Sequence, residues 1–450
     1  MFFLCYCYRI HQSNTMRRHN QDIKSLAKKN LSVIKILLFM MIASYFSISE
    51  SAAITQVYKI GFRFIALIWC FLLYQFNLKK GMIASYLYKE RLALWLYLGY
   101  LLLSFASFMW ITEGPERSAK VSYSVLQWNM TIQSLIFVYY YYKLILQHNF
   151  FYQEYAINLS KISAQVIGII CLIILIGSLI APDVFYRSMR GGSETRLGGY
   201  LMNPNELGML ASMGASLALL ELLKSKKKSQ LFFWFSISLL TLFLTTSRSS
   251  VIGFLIITML ILKNRASIRI KIIAFVLAGI AIPFILQYVI FKAGNIDEVF
   301  SMTGRIPFWT ALLQEGIVKE PFLGFGFQRI FYTNRFISLT AYSGHMTHNT
   351  FLQVLMNLGF IGFLLVILQM TLLFRGVIQS KNKELKAFFL AMIIPLLINS
   401  VTEFGIFGQT NYAIFFYQFL IFAVVQHYNP KLSQQEKIKV NLFFKQYKTK

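Results

Sequence analysis

Twelve long apolar stretches divide this chain, with approximate limits 34–49, 60–77, 92–111, 122–142, 162–181, 205–223, 231–247, 249–262, 272–291, 349–374, 387–402 and 411–427. Inside a bilayer the backbone must satisfy its own polar groups, which leaves helices and closed barrels. A spanning helix needs roughly 17–25 apolar residues, whereas barrel strands alternate with period two. The stretches carry the first signature and lack the second. They predict an all-α, polytopic membrane protein with about 12 transmembrane helices. The seventh and eighth stretches are short and form a tight hairpin around Ser247 to Ser250. Only 14% of the residues are charged, against about 25% in soluble domains. That excludes an ordinary soluble enzyme, a disulfide scaffold and a disordered chain.

The net charge of +27 has two readings. Gathered into one stripe, it would suggest nucleic acid. Spread over alternate loops, it orients a membrane protein. An even number of spans puts both termini on one side. The segments on that side are 1–35, 78–91, 143–161, 224–230, 263–271, 375–386 and 428–450, and they hold 31 of the 44 Lys and Arg residues. The distribution obeys the positive-inside rule with both termini cytoplasmic, and no nucleic-acid partner is expected. Lys59 and Arg63, near the start of the second stretch, are placed to snorkel to the surface. Residues 1–33 read as a basic cytoplasmic tail rather than a cleavable signal, with Met16 a second candidate start. The membrane domain spans 34–427, and 428–450 is a cytoplasmic tail. Cys5 and Cys7 lie in the first tail and Cys70 and Cys171 inside spans, so no disulfide is expected.

Two outside loops are long, 182–204 and 292–347, which places the chemistry at the outer membrane surface. The first reads PDVFYRSMRGGSETRLGGYLMNPNELG. Arginines, Arg196 among them, alternate with glycines before Asn203, Pro204 and Asn205 open the sixth span. Arginine forks and close backbone amides suit phosphate oxygens. Arginines bound to lipid head groups, with glycines serving as turns, are the other reading. Arg248 sits in TTSRSSVIG at the outer hairpin, where either snorkelling or a lipid phosphate accounts for it. In the second loop, Phe308, Leu312, Leu313 and Ile317 follow helical spacing and predict a short amphipathic helix. Thr303 is its expected cap, Pro307 lies in its first turn, and Arg305 is at its start. Pro321, Gly324 and Gly326 then break it.

Of the six histidines, His345 and His348 alone fall in outside segments. A neutral imidazole can take a proton from a hydroxyl near physiological pH. The two have helical spacing, but the outside loops offer no compact acidic cluster to complete a metal site. Neither a metal nor a cofactor is expected.

These residues resemble a known family. His348-Asn349, nine residues, then Gly359-Phe360-Ile361-Gly362 resembles the H-N-x9-G-x-x-G signature of the O-antigen ligase and O-antigen polymerase family. In order before it come Arg196 with NPNELG, SRSS around Arg248, Gly304-Arg305 with Trp309, and PFLGFGF. The resemblance covers roughly 190–365. It implies a GT-C-like, metal-independent membrane glycosyltransferase of the bacterial inner membrane, with its active site on the outer face. Its donor would be an oligosaccharide on undecaprenyl diphosphate. A polymerase passes the glycan to a sugar hydroxyl of the next unit, a ligase to the lipid A core. The resemblance also implies that His348 activates the acceptor and that Arg196, Arg248 and Arg305 bind the diphosphate. Asn349, Glu403, Asn203 and Asn205 are expected around them or at the acceptor. Polymerase is the leading expectation and ligase the alternative. A twelve-span polysaccharide transporter is the alternative of another class, and a receptor or scaffold without catalysis a third. Against the transporter stand the 56-residue loop, the lack of an evident repeat, and NLKKGMIASYLYKER between spans two and three, which holds no G-x-x-x-D-R motif.

Overall fold

The computed structural model describes residues 24–79, 86–88, 91–111, 117–189, 194–199, 201–225, 228–290, 305–327, 347–403 and 405–428. A helix lies at each of the twelve apolar stretches. These are α1 (24–43), α2 (Ala52–Lys79), α3 (Arg91–Ala106), α4 (Arg117–Phe151), α5 (Leu159–Ile180), α6 (Pro204–Leu222), α7 (Ser229–Leu244), α8 (Arg248–Arg265) and α9 (Ile268–Ile285). After the short α10 (305–319) come α11 (Thr350–Gln379), α12 (Lys383–Thr402) and α13 (Tyr412–Val425). Among the described residues, six helices are long and apolar enough to cross a membrane: α2, α3, α5, α9, α11 and α12. Helices α7 and α13 are apolar but shorter.

Helix α6 forms the centre. Nearly every residue from Pro204 to Glu221 is buried, because its sequence is rich in Gly, Ala and Ser. Small side chains let neighbouring helices approach closely, the usual way of packing helices without water to drive them together. Helix α13 is buried along all fourteen of its residues. Helix α9 is the opposite case, apolar all round with none buried. Such a surface suits lipid rather than water.

Two small antiparallel strand pairs interrupt the helical pattern. Strand β1 (Tyr86–Tyr88) pairs with β4 (Gln426–Tyr428), and β2 (Tyr186–Met189) pairs with β3 (Glu194–Leu197). The first pair joins two basic segments assigned by sequence to the same side. Three more such segments meet where Glu384 pairs with Arg265 at 3.1 Å and with Lys224. The segments carrying Arg196, Arg248, Arg305, His348 and Glu403 converge at a separate site.

Arg63 departs from expectation. It does not snorkel. It is 1% exposed, its Nε donates to Ser44 Oγ at 3.0 Å, and its Cζ lies 3.9 Å from the centre of the Tyr45 ring. A surrounding bundle rather than lipid receives the side chain. Cys70 and Cys171 are free and buried.

The amphipathic helix α10 forms in three pieces: Arg305–Ala311, a π turn over Leu312–Gly316, and Ile317–Lys319. Phe308, Ala311 and Leu312 pack with Phe325, Leu352 and Met356. Leu313, expected on that face, is instead 47% exposed. The π turn lengthens the repeat by one residue, which rotates Leu313 outward. The expected cap, Thr303, and Gly304 lie outside the described residues, as do His345, Arg190, Tyr200 and the segments 1–23 and 429–450.

Gly359 explains part of the histidine signature. Helix α11 is broken there, with Gly359 at φ +61°. The break frees backbone groups that receive the PFLGFGF segment. Phe360 N donates to Pro321 O at 2.8 Å, while Phe325 N and Gly326 N donate to Met356 O and Asn357 O at 2.8 and 2.9 Å. A Cβ on Gly359 would come within 2.2 Å of the Phe322 carbonyl carbon. Gly359→Ala is expected to cost about 1–3 kcal/mol from the backbone conformation alone, and more from the clash. Gly279→Ala, where a Cβ would meet nothing within 4 Å, is the matched control. Thermal melting of the two purified variants checks this, and equal melting temperatures would refute it.

Candidate active site

Glu403 is the hub on which the separate sequence signals converge. It caps the end of α12, is extended in backbone (φ −151°, ψ −160°) and is 7% exposed. His348 Nδ1 lies 3.0 Å from its Oε2. Arg305 Nη2 donates to its Oε1 at 2.6 Å, and Asn205 Nδ2 donates to the same oxygen at 2.8 Å. Arg305 Nη1 also donates to the Thr402 carbonyl. Burial works against a charged carboxylate. The His348 hydrogen bond and the Arg305 charge outweigh it and hold Glu403 below its ordinary value.

Each partner is held by its own element. His348 precedes α11, whose first turn is capped by Asn349 Oδ1 accepting from Phe351 N and Leu352 N, both at 3.0 Å. His348 itself sits in the left-handed region at φ +48°, which only a few per cent of non-glycine residues adopt. On α10, Arg305 and Trp309 are four residues apart and share one face. While Arg305 grips Glu403, Trp309 Nε1 donates to the Thr347 carbonyl at 2.6 Å, next to the histidine. One helix thus holds both members of the His348–Glu403 pair.

The network continues toward the first loop. Asn203 caps α6, its Oδ1 accepting from Asn205 N at 2.9 Å. Asn205 Oδ1 accepts from Arg196 Nη2 at 2.7 Å, and Arg196 Nε donates to the Thr245 carbonyl at 2.9 Å. Arg196 lies on β3 directly opposite Arg187 on β2. Directly opposed residues of an antiparallel pair share a face, so two cations stand side by side. Arg248 Nε donates to the Val289 carbonyl at 3.3 Å. It belongs to the α7–α8 hairpin, where Ser249 and Ser250 both donate to Asn399 Oδ1, at 3.0 and 3.2 Å.

The structure therefore joins His348, Arg305, Glu403, Asn205 and Arg196 in one chain of hydrogen bonds. Arg248 is tied to the α9 end, and Asn203 and Asn349 act locally as caps. Sequence reasoning passed over Asn399, and it noted Arg187 among the loop arginines without placing it in the site. Asn399 was visible as a polar residue inside an apolar run, but nothing in the sequence said which hairpin it would meet. Arg187 gains its meaning from strand register alone. Among the described residues, no group of three or more His, Cys, Asp or Glu side chains is arranged to hold a metal ion.

Chemically, the cluster presents an imidazole oriented by a buried carboxylate. A proton on Nδ1, facing Glu403, leaves Nε2 as the basic nitrogen. Residues 231–367 match the family model described as O-Antigen ligase. The match includes Arg248, Arg305, His348 and Gly359, and it supports placing the chain in the O-antigen ligase and polymerase family, whose members are membrane glycosyltransferase-like enzymes. Comparison with curated proteins finds no match.

Proposed function

We propose, from that family assignment, that this chain is a surface-polysaccharide polymerase. It transfers a glycan from undecaprenyl diphosphate to a sugar hydroxyl of the acceptor at the outer face of the bacterial inner membrane. Twelve spans, cytoplasmic termini and an active site between the two long outside loops complete the reading. The observation that carries it is the His348–Glu403–Arg305 cluster beside Arg196.

In the proposed step, His348 Nε2 takes the proton of the acceptor hydroxyl as its oxygen bonds to the donor's anomeric carbon. The bond from that carbon to the diphosphate oxygen breaks, and the diphosphate leaves with the electron pair. Glu403 stabilises the imidazolium that forms and fixes its orientation, a division of labour familiar from other histidine bases. Arg196 and Arg248 supply positive charge for the departing diphosphate. Both Nη atoms of Arg305 donate to protein oxygens, which favours a positioning role on Glu403 over direct diphosphate contact. No metal enters the step.

Lysine at these arginines keeps the charge and removes the planar fork. Arg196→Lys is expected to lose a link, to Asn205 or to Thr245, and to lower transfer about tenfold, the value of one charge-assisted hydrogen bond. Normal polymer in both Arg196→Lys and Arg248→Lys would remove the diphosphate assignment. A gel of surface polysaccharide from a deletion strain separates polymerase from ligase. One repeat unit on core lipid indicates a polymerase. Bare core lipid with polymer still on its carrier indicates a ligase and overturns the leading reading.

A further inference from the structure

Arg63 is a buried cation that the His348–Glu403 cluster does not use. It is the twelfth residue of α2, about 16 Å along that helix at 1.5 Å per residue. A charge at such depth in an apolar helix marks a functional site unless it is fully paired. Arg63 is not fully paired. Its Nη1 and Nη2 are buried and have no hydrogen-bond partner among the described residues. Stacking on Tyr45 and the bond to Ser44 engage the ring face and Nε and leave this terminal fork. Leaving two such donors unsatisfied is costly.

Arg63 is among the residues lining a cavity of ≈ 480 Å³, within the range of roughly 300–1,000 Å³ typical of ligand sites. Lys59, one turn away on α2, lines it too, and so do Tyr123, Gln127 and Glu206. Glu50 is a second acidic group on its wall. Paired cations, aromatic rings, amides and carboxylates in one cavity fit a ligand with many hydroxyls and one oxyanion. A guanidinium fork matches a carboxylate or phosphate ester in two parallel hydrogen bonds. Glu206 adjoins Asn205, which donates to Glu403, so the cavity borders the transfer site.

We propose that this cavity binds an acidic saccharide, its carboxylate or phosphate held by the Arg63 fork with Lys59 alongside and its hydroxyls met by Glu206 and Gln127. Placing that saccharide on a substrate of transfer rests on the reading of the His348 cluster. The binding site itself does not.

The test is saturation-transfer NMR on the full chain in phosphatidylcholine nanodiscs. The probes are D-glucuronate, D-glucose 6-phosphate, D-glucose and inorganic phosphate, with a second preparation containing phosphatidylglycerol. The acidic sugars are expected to bind about tenfold more tightly than glucose, the scale of one charge-assisted contact. Arg63→Gln should erase that preference, and His348→Gly should leave it unchanged. Should Arg63→Gln fail to fold, Arg63→Lys and Lys59→Gln carry the test, each expected to reduce the preference. Equal binding of glucose and glucuronate, or a preference that survives these variants, overturns the proposal. Displacement of the sugars by phosphatidylglycerol makes the cavity a lipid head-group site and overturns it as well. Acid-sugar binding combined with full polymer in His348→Gly would leave the cavity standing and remove the transfer reading instead.

Discussion

His348→Gly should abolish surface polymer while the protein stays folded in the membrane. A positioned general base contributes about 10²–10⁴ in rate, so transfer should fall by that factor. Glycine is the informative replacement because His348 sits at φ +48°. Glycine accepts that conformation freely, whereas alanine there costs about 1–2 kcal/mol. His348→Ala is therefore expected to lose both transfer and some thermal stability, and His348→Gly to lose transfer with little loss of stability. His348→Asn, also tolerant of the left-handed region, should behave like glycine. The checks are surface polysaccharide on gels, membrane abundance and melting temperature. Full-length polymer in His348→Gly would end the role of this residue as base. A melting temperature that falls as far in His348→Gly as in His348→Ala would make its role structural.

Glu403→Gln is expected to damage both transfer and stability. A carboxylate is an acceptor at both oxygens, and here it receives donors from His348, Arg305 and Asn205. An amide offers one acceptor and one donor group. Facing His348 Nδ1 with its NH₂, it would favour the tautomer protonated on Nε2, which removes the base. The corresponding change in serine proteases lowers rate about 10⁴-fold, and a loss of about 10²–10⁴ is expected here. Arg305 would also lose its buried counter-charge. Breaking such a pair typically costs about 3–5 kcal/mol, and the low end applies because the Arg305 side chain is 16% exposed. The pH dependence follows from the lowered Glu403 value. Because the folded group ionises below its ordinary value of 4.5, its contribution is present above that value and is lost as pH falls below it. The melting-temperature gap between wild type and Glu403→Gln should be full at about pH 7 and close toward about pH 3. A gap that stays constant over that range would show that the charge of Glu403 contributes nothing.

Much of this molecule was legible in the sequence. Apolar runs place twelve helices because hydrophobicity is local and one-dimensional. The residue types of the site were also readable, since arginines, a histidine and glycines in the segments between apolar runs stand out against their background. What was not readable was their pairing. Glu403 lies 55 residues from His348, 98 from Arg305 and 198 from Asn205 along the chain, and no spacing rule connects them. Arg63 shows the same limit from the other side. Its position near the start of an apolar stretch fits snorkelling as well as burial, and the choice belongs to the neighbouring helices.

By itself, then, the sequence determined that the chain is helical and membrane-bound, and which polar residues were available. The tertiary structure alone decided that Arg305 serves Glu403, that Trp309 holds the backbone beside His348, and that Arg63 is buried beside a cavity. The physical reason is that hydrophobic pattern acts through each segment's own side chains. A buried ion pair exists only where separate segments meet, and its geometry is set by how the helices pack.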